Sequence, residues 1–118
     1  SPEWADCGIH DAPVPDERVV HNMEHGHVII SYNLPNEADE VRMVEVAKGL
    51  PNLNGWGVVR PYSKIEEGTV GMTAWGVIDI VDGVDERRIR RFYTEYARNR
   101  LSEETAQVGP IRCTGSVG

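Results

Sequence analysis

Histidine, methionine and glutamate side chains are concentrated in one short stretch of this 118-residue chain. His21, His25 and His27 fall within seven positions, and Met23 and Glu24 lie between them. Imidazole is the commonest protein ligand for late transition metals, and thioether sulfur favours Cu(I). The pattern therefore predicts a transition-metal site, with copper preferred over zinc. The three histidines and Met23 would be its ligands, and Glu24 would orient an imidazole.

The spacing of these residues is compatible with two local geometries. In a strand, alternate side chains share a face, which would place Met23, His25 and His27 together. In a helix or a turn, residues four apart are neighbours, which would place His21 beside His25. Either geometry brings two imidazole nitrogens close to each other.

Two residues outside the stretch are further candidate ligands. His10 lies in the segment that leads into the histidines, and Met72 lies in a predicted strand that can run beside them. Both are possible ligands and are secondary to the histidine stretch.

Two other functions fit the same residues. A hydrogen-bonded histidine network without an ion would make the domain a structural or accessory subunit of an envelope complex. His21-x-x-Glu24-His25 also matches the inverted zinc-peptidase pattern, in which two helical histidines bind zinc and the glutamate is the general base. A small zinc hydrolase fits less well, because Gly26 and a β-branched run follow at once. We therefore predict a metal-binding domain without catalytic residues.

The two cysteines, Cys7 and Cys113, lie near opposite ends of the chain, in stretches that are typical of exposed loops. Two free thiols are the alternative to a bond between them. A disulfide that closes a loop of about 100 residues stabilises by roughly 4–5 kcal/mol in the chain-entropy model. We predict this disulfide, and with it an oxidising, extracytoplasmic compartment.

The overall charge limits the kinds of partner. The formal net charge is −7 and the isoelectric point is about 5.0. An acidic protein gains no binding free energy from counterion release when it meets nucleic acid or anionic lipid, whereas it attracts cations. No apolar run approaches the roughly 20 residues of a membrane span, so we predict no membrane insertion of this chain.

The elements that must position these residues follow from periodicity and capping. Alternating or β-branched runs predict strands, and apolar residues at helical spacing after Asn36 and Asp85 predict two capped helices. Prolines and glycines predict a loop-like lead over residues 1–20, and the tail from Ser102 is predicted to be irregular. The strands are predicted at 27–32, 56–60 and 69–81, and the helices from 37 to about 48 and after residue 85.

This order, β-α-β-β-α with irregular ends, predicts an α+β fold. Two helices would cover one face of a small antiparallel or mixed sheet. The length and the absence of linkers predict a single domain over residues 1–118.

Several motifs, in their order along the chain, resemble one family. They are Cys7-Gly8, Pro13-Val-Pro-Asp-Glu-Arg-Val-Val-His-Asn-Met-Glu-His-Gly26, Val28-Ile-Ile-Ser-Tyr32 and Thr73-Ala-Trp-Gly76. They resemble the domain of unknown function 3105, small bacterial and archaeal extracytoplasmic domains that often follow an N-terminal membrane anchor. The resemblance implies the fold and the compartment, and an anchor outside this chain.

The chain departs from the family pattern in ways that concern the site. The family usually carries a T-S-G-x-H stretch just upstream, which this chain lacks, so a site residue is expected to lie outside it. Met23 is commonly leucine in the family, and His27 is commonly a small or aromatic residue. Both departures add metal ligands, so this member looks better suited to metal binding than a typical one.

Overall fold

A five-stranded mixed sheet forms the centre of the computed structural model, which describes residues 3–113. The strands lie in the order β1-β3-β2-β4-β5. β1 and β2 run parallel to β3, whereas β4 pairs antiparallel with β2 and with β5. The strands are β1 (Gly8–Ile9), β2 (Val28–Asn33), β3 (Gly57–Pro61), β4 (Thr69–Ala74) and β5 (Val77–Asp82).

Five helices surround this sheet in the described residues. They are α1 (Asp16–Glu24), α2 (Glu37–Lys48), α3 (Leu53–Trp56), α4 (Glu86–Tyr96) and α5 (Glu103–Val108). No helix between residues 3 and 113 combines the length and the apolar character of a membrane span. The predicted α+β class with a mixed sheet is confirmed.

One face of the sheet carries the main hydrophobic core. Val28, Ile30 and Tyr32 of β2 point to this face, where they meet buried residues of α2 and α4 such as Met43 and Phe92. Both helices begin as the sequence predicts. The Asn36 side chain accepts hydrogen bonds at the start of α2, and Asp85 does the same for α4. These side chains satisfy backbone N–H groups that the first helical turn leaves unpaired.

The opposite face is covered by α1 and the N-terminal segment. Ile29 of β2 and Val58 of β3 point this way and form a smaller buried cluster with Val19 of α1 and Ala5. The prediction of two helices on one sheet face accounts for α2 and α4 but not for α1.

Three predictions for the elements were wrong. The lead is not loop-like throughout, because α1 starts at Asp16, directly after Pro15. Proline precludes a helix interior but is compatible with a helix start, where its missing N–H costs nothing. The tail is not irregular from Ser102. That residue caps α5, where Ser102 and Thr105 exchange backbone and side-chain hydrogen bonds.

The third error concerns the long strand predicted at 69–81. It is a hairpin of β4 and β5, in which Ala74 pairs with Val77 across a two-residue turn. Gly76 has φ +75° in this turn, a conformation that glycine adopts without the steric penalty of a Cβ. The alternation of side chains continues through the turn, which is why the period of two did not reveal it.

Candidate functional site

The end of α1 places two histidines side by side. His21 lies in the last turn of the helix, and His25 is its C-cap residue. Their ring centroids are 4.8 Å apart, with an angle of 47° between the planes. The helical geometry is therefore the one adopted, and the strand begins only after His27.

A tryptophan from the N-terminal segment packs against all three histidines. The Trp4 ring centroid lies 5.6 Å from that of His21, 4.6 Å from that of His25 and 5.3 Å from that of His27. The ring of Trp56 also packs against His27, with 5.8 Å between the two ring centroids. The histidines thus belong to an aromatic cluster, which we call the Trp4 cluster: Trp4, His21, His25, His27 and Trp56.

His27 is fully buried, and both of its ring nitrogens have partners. Nε2 donates to the carbonyl oxygen of Ile111 at 2.7 Å, which leaves Nδ1 to accept from the Asn22 amide at 3.0 Å. Burial lowers the pKa of His27 to about 4, although the Ile111 hydrogen bond acts in the opposite direction. The ring is therefore neutral at pH 7 and held in one tautomer.

The structure contains a disulfide between Cys7 and Cys113, which confirms the prediction of this bond. The disulfide lies against the His27 imidazole. His27 Nδ1 is 3.6 Å from Cys113 Sγ and 3.9 Å from Cys7 Sγ. Within residues 3–113, these three side chains are the one group of at least three histidine, cysteine or acidic residues whose donor atoms all converge within 4.8 Å. Such a group could hold a metal, but here the two sulfurs are bonded to each other.

His25 is also buried, but it differs from His27 in the partners of its ring nitrogens. Its Nδ1 atom forms no hydrogen bond with the described residues, although Oε2 of Glu104 lies 3.0 Å from it. Burial lowers the pKa of His25, while the charges of Glu104 and Glu24 oppose that shift. An imidazole nitrogen and a carboxylate oxygen therefore face each other in a partly dry environment.

Comparison with known proteins identifies the family. Residues 1–109 match the family described as Protein of unknown function (DUF3105). The chain belongs to this family. No curated protein and no solved structure shows significant similarity to it.

In this family member, the other predicted site residues lie in varied surroundings. Met23 packs against the smaller buried cluster, and Met72 is fully buried in the main core. His10 contacts the Asp6 carbonyl through Nε2 at 2.7 Å. Glu24 accepts a hydrogen bond from Ser102 through its backbone carbonyl. The structure therefore groups His21, His25 and His27, and it places Met72 on the sheet face that α2 and α4 cover.

Asn22, Trp4 and Glu104 are neighbours of the histidines that the sequence did not single out. Asn22 is fully buried and forms two hydrogen bonds with the backbone of Ala5, at 2.8 and 3.0 Å. The contacts of Trp4 and Glu104 join segments that are distant in sequence, so no local pattern reveals them. Asn22 lies inside the histidine stretch. The available signal for its role was a polar residue at a position that a short helix would bury.

A second concave region lies apart from these residues. It is a cleft of about 560 Å³ whose lining includes Asp16, Tyr32 and Tyr62. Burial acts to raise the pKa of Asp16, but hydrogen bonds from Arg60 and Tyr62, at 2.9 and 3.0 Å, hold it below its usual value. Because this carboxylate is fully paired, it serves to fasten α1 to β3.

Proposed function

We propose that this chain is an extracytoplasmic, non-enzymatic domain that binds a divalent transition-metal ion, Cu²⁺ in preference to Zn²⁺, through His21 and His25. The observation that carries the proposal is the buried Nδ1 atom of His25. It has no hydrogen-bond partner among the described residues, and a carboxylate approaches it to 3.0 Å. A metal ion between the nitrogen and the carboxylate would satisfy both groups.

The spacing of the two rings supports one shared ion. With a metal–nitrogen distance of about 2.0–2.1 Å, two imidazoles bound at right angles or tetrahedrally have centroids roughly 4.5–5.2 Å apart. The observed separation of 4.8 Å falls in that range. Burial also lowers the pKa of His25, which favours the neutral imidazole that a metal requires.

Glu104 takes the place in the ligand set that the sequence assigned to Met23. Its side chain is 49% exposed, so it can turn onto an ion without disturbing the core. Two nitrogens and one oxygen suit Cu²⁺ or Zn²⁺ better than Cu(I), and Cu²⁺ binds the tighter of the two in the Irving–Williams order. In the oxidised protein His27 is outside this set, because the Asn22 amide and the Ile111 carbonyl already bond to its two nitrogens.

The disulfide supports the extracytoplasmic compartment. Bonds of this kind persist in oxidising environments and are rare in the reducing cytosol of mesophiles. The pair joins positions 106 residues apart, so it constrains nearly the whole chain rather than a local redox loop.

Metal titration of the oxidised protein tests the proposal. Purified wild type, stripped with a chelator, is titrated with Cu²⁺ and Zn²⁺ by calorimetry, beside the double variant His21→Ala/His25→Ala. We expect one equivalent to bind the wild type and none the double variant. His10→Ala is the control for a histidine outside the Trp4 cluster and should bind as wild type does. Equal binding by wild type and the double variant would refute the proposal.

The role of the carboxylate is tested on α5 itself. Glu104→Gln keeps the size of the side chain but removes its charge, and Glu103→Gln does the same at the neighbouring exposed position. Residues that orient a metal ligand typically contribute 10–100-fold in affinity, so Glu104→Gln should weaken binding by at least about tenfold. Glu103→Gln should leave the affinity unchanged.

A structural role without an ion is the second candidate. It is supported by the hydrogen-bond network of His27 and Asn22, in which the imidazole nitrogens and the side-chain amide bond to other groups of the protein. In that case the domain would be an accessory part of an envelope complex. This role predicts that chelation leaves the unfolding free energy unchanged, whereas His25→Ala lowers it. Stabilisation of the wild type by added Cu²⁺, absent in His21→Ala/His25→Ala, favours the metal site instead.

A further inference from the structure

The disulfide and His27 form a second potential site, distinct from the His21–His25 pair. The imidazole Nδ1 faces both sulfurs, at 3.6 Å from Cys113 and 3.9 Å from Cys7. His27 and Cys113 are almost completely buried, whereas Cys7 is only partly so. We infer that reduction of the Cys7–Cys113 bond turns these three residues into a buried site for a thiophilic metal ion, Zn²⁺ or Cu⁺.

The tautomer of His27 already suits a ligand. Because Nε2–H donates to the Ile111 carbonyl, the lone pair lies on Nδ1, the atom that faces the sulfurs. Metal-binding histidines typically donate their second nitrogen to a backbone carbonyl or a carboxylate in this way. The Ile111 carbonyl is thus an orienting group that is in place before any metal arrives.

The backbone near each cysteine is held independently of the sulfur–sulfur bond. On one side, Gly8 pairs with Val58 in the sheet. On the other, the Cys113 amide donates to the Gly55 carbonyl at 2.9 Å, and the Ile111 amide donates to the backbone carbonyl of His25 at 3.0 Å. None of these bonds involves a sulfur atom, so we expect them to keep the two thiols close to each other when the disulfide is cleaved.

The required displacement is small. The Cα atoms of the two cysteines are 6.1 Å apart. With zinc–sulfur distances of about 2.3 Å, two tetrahedral thiolates lie roughly 3.8 Å apart, a separation that side-chain rotation can supply. The Asn22 amide lies 4.0 Å from Cys113 Sγ. When Nδ1 turns to the metal, this amide can donate to the thiolate instead.

A dithiol can reduce the Cys7–Cys113 bond by thiol–disulfide exchange. A thiolate of the dithiol attacks the more accessible sulfur of Cys7, and Cys113 leaves as a thiolate. The second thiol of the reductant then closes its own disulfide and releases Cys7, so that two electrons and two protons have passed to the cysteine pair. Metal binding displaces the two thiol protons to solvent. His27 is the third ligand, and water completes a four-coordinate ion.

Cobalt spectroscopy tests this site. Protein reduced with a phosphine, which supplies no competing thiol, is titrated with Co²⁺ and compared with untreated protein. We expect reduction to add one equivalent beyond any cobalt held at His21 and His25, and this added ion should give sulfur-to-cobalt charge-transfer absorption and the visible bands of a tetrahedral ion. Zn²⁺ should displace the cobalt and abolish both signals.

Matched variants separate this site from the proposed copper site. Cys7→Ser/Cys113→Ser should show no charge-transfer absorption with or without the phosphine. The variant His21→Ala/His25→Ala should still show it after reduction, since its ligands are elsewhere. A ligand contributes at least as much as the groups that orient it, so His27→Gln should weaken cobalt binding by at least about tenfold.

Three results would overturn the inference. One is a reduced wild type that shows no charge-transfer absorption. Another is loss of that absorption in a folded His21→Ala/His25→Ala variant, which would show that the sulfur-bound ion depends on those histidines and is not a separate site. The third is a folded His27→Gln variant with unchanged cobalt affinity, which would leave the imidazole out of the ligand set.

Discussion

Asn22 links the N-terminal segment to the histidines by side-chain hydrogen bonds. Its amide oxygen accepts from the Ala5 amide, and its nitrogen donates to the Ala5 carbonyl and to His27 Nδ1. Every one of these groups is buried, so an alanine at this position would leave them without partners. The side chain therefore serves both to fix the lead and to hold the imidazole.

We predict that Asn22→Ala lowers the free energy of unfolding by about 2–4 kcal/mol, because two buried backbone groups of Ala5 lose their partners. Urea unfolding of the oxidised protein measures the change. Val20→Ala, at a substantially exposed position of the same helix, is the control and should cost less than about 1 kcal/mol. Equal losses for the two variants would show that the amide does not hold the lead.

Part of the site was predictable at this scale. The three histidines stood out because their spacing is dense, and the cysteine pair because no other cysteine exists. Glu104 and Trp4 were not predictable, since each reaches the histidines from a segment distant in sequence. Met23 was assigned as a ligand on its residue type and on the strand spacing that would have placed it beside His25 and His27. Its position two residues from both His21 and His25 on a helix turns it toward the apolar cluster instead.

At the scale of elements, one glycine determines how closely α1 and the segment around α5 approach each other. Gly26 has φ +95°, and a Cβ there would lie 2.8 Å from Cβ of Pro110 and 2.9 Å from the Asn99 carbonyl oxygen. The Gly26 carbonyl also accepts from the Arg98 amide. The turn after α1 is therefore both conformationally restricted and tightly covered.

We predict that Gly26→Ala destabilises the domain by about 3–5 kcal/mol, the sum of backbone strain and overpacking. Gly76→Ala is the matched control. It also has positive φ, at +75°, but among residues 3–113 no atom beyond its chain neighbours lies within 4 Å of its Cβ position, so only the strain of about 1–2 kcal/mol remains. Comparable thermal unfolding temperatures for the two variants would contradict the close packing around Gly26.

Helices with clear caps were predicted well, and short elements were not. The Asn36 and Asp85 caps and the apolar periodicity located α2 and α4 from the sequence. The nine residues of α1 follow two prolines and include the first part of the histidine stretch, and they present few apolar side chains. Two-residue β1 owes its existence to pairing with β3, a contact that local sequence does not encode.

For the molecule as a whole, the sequence predicted the class of fold but not the order of the strands. Cysteines near both ends indicated a chain closed on itself, and the structure confirms that closure. The position of β3 between β1 and β2 depends on contacts across long stretches of chain. The alternation within each strand is the same whichever neighbour it acquires, so periodicity could not reveal the order.

The same closure determines how the domain carries mechanical load. Tension applied through the segments on either side of Cys7 and Cys113 passes directly across the sulfur–sulfur bond, so the residues between them bear none of it. In single-molecule pulling, the oxidised domain should show no unfolding step at forces that unravel ordinary domains. After reduction, the 106-residue separation becomes extensible and should add roughly 350 Å of contour length. A long unfolding step in the oxidised protein would show that force reaches the sheet despite the bond.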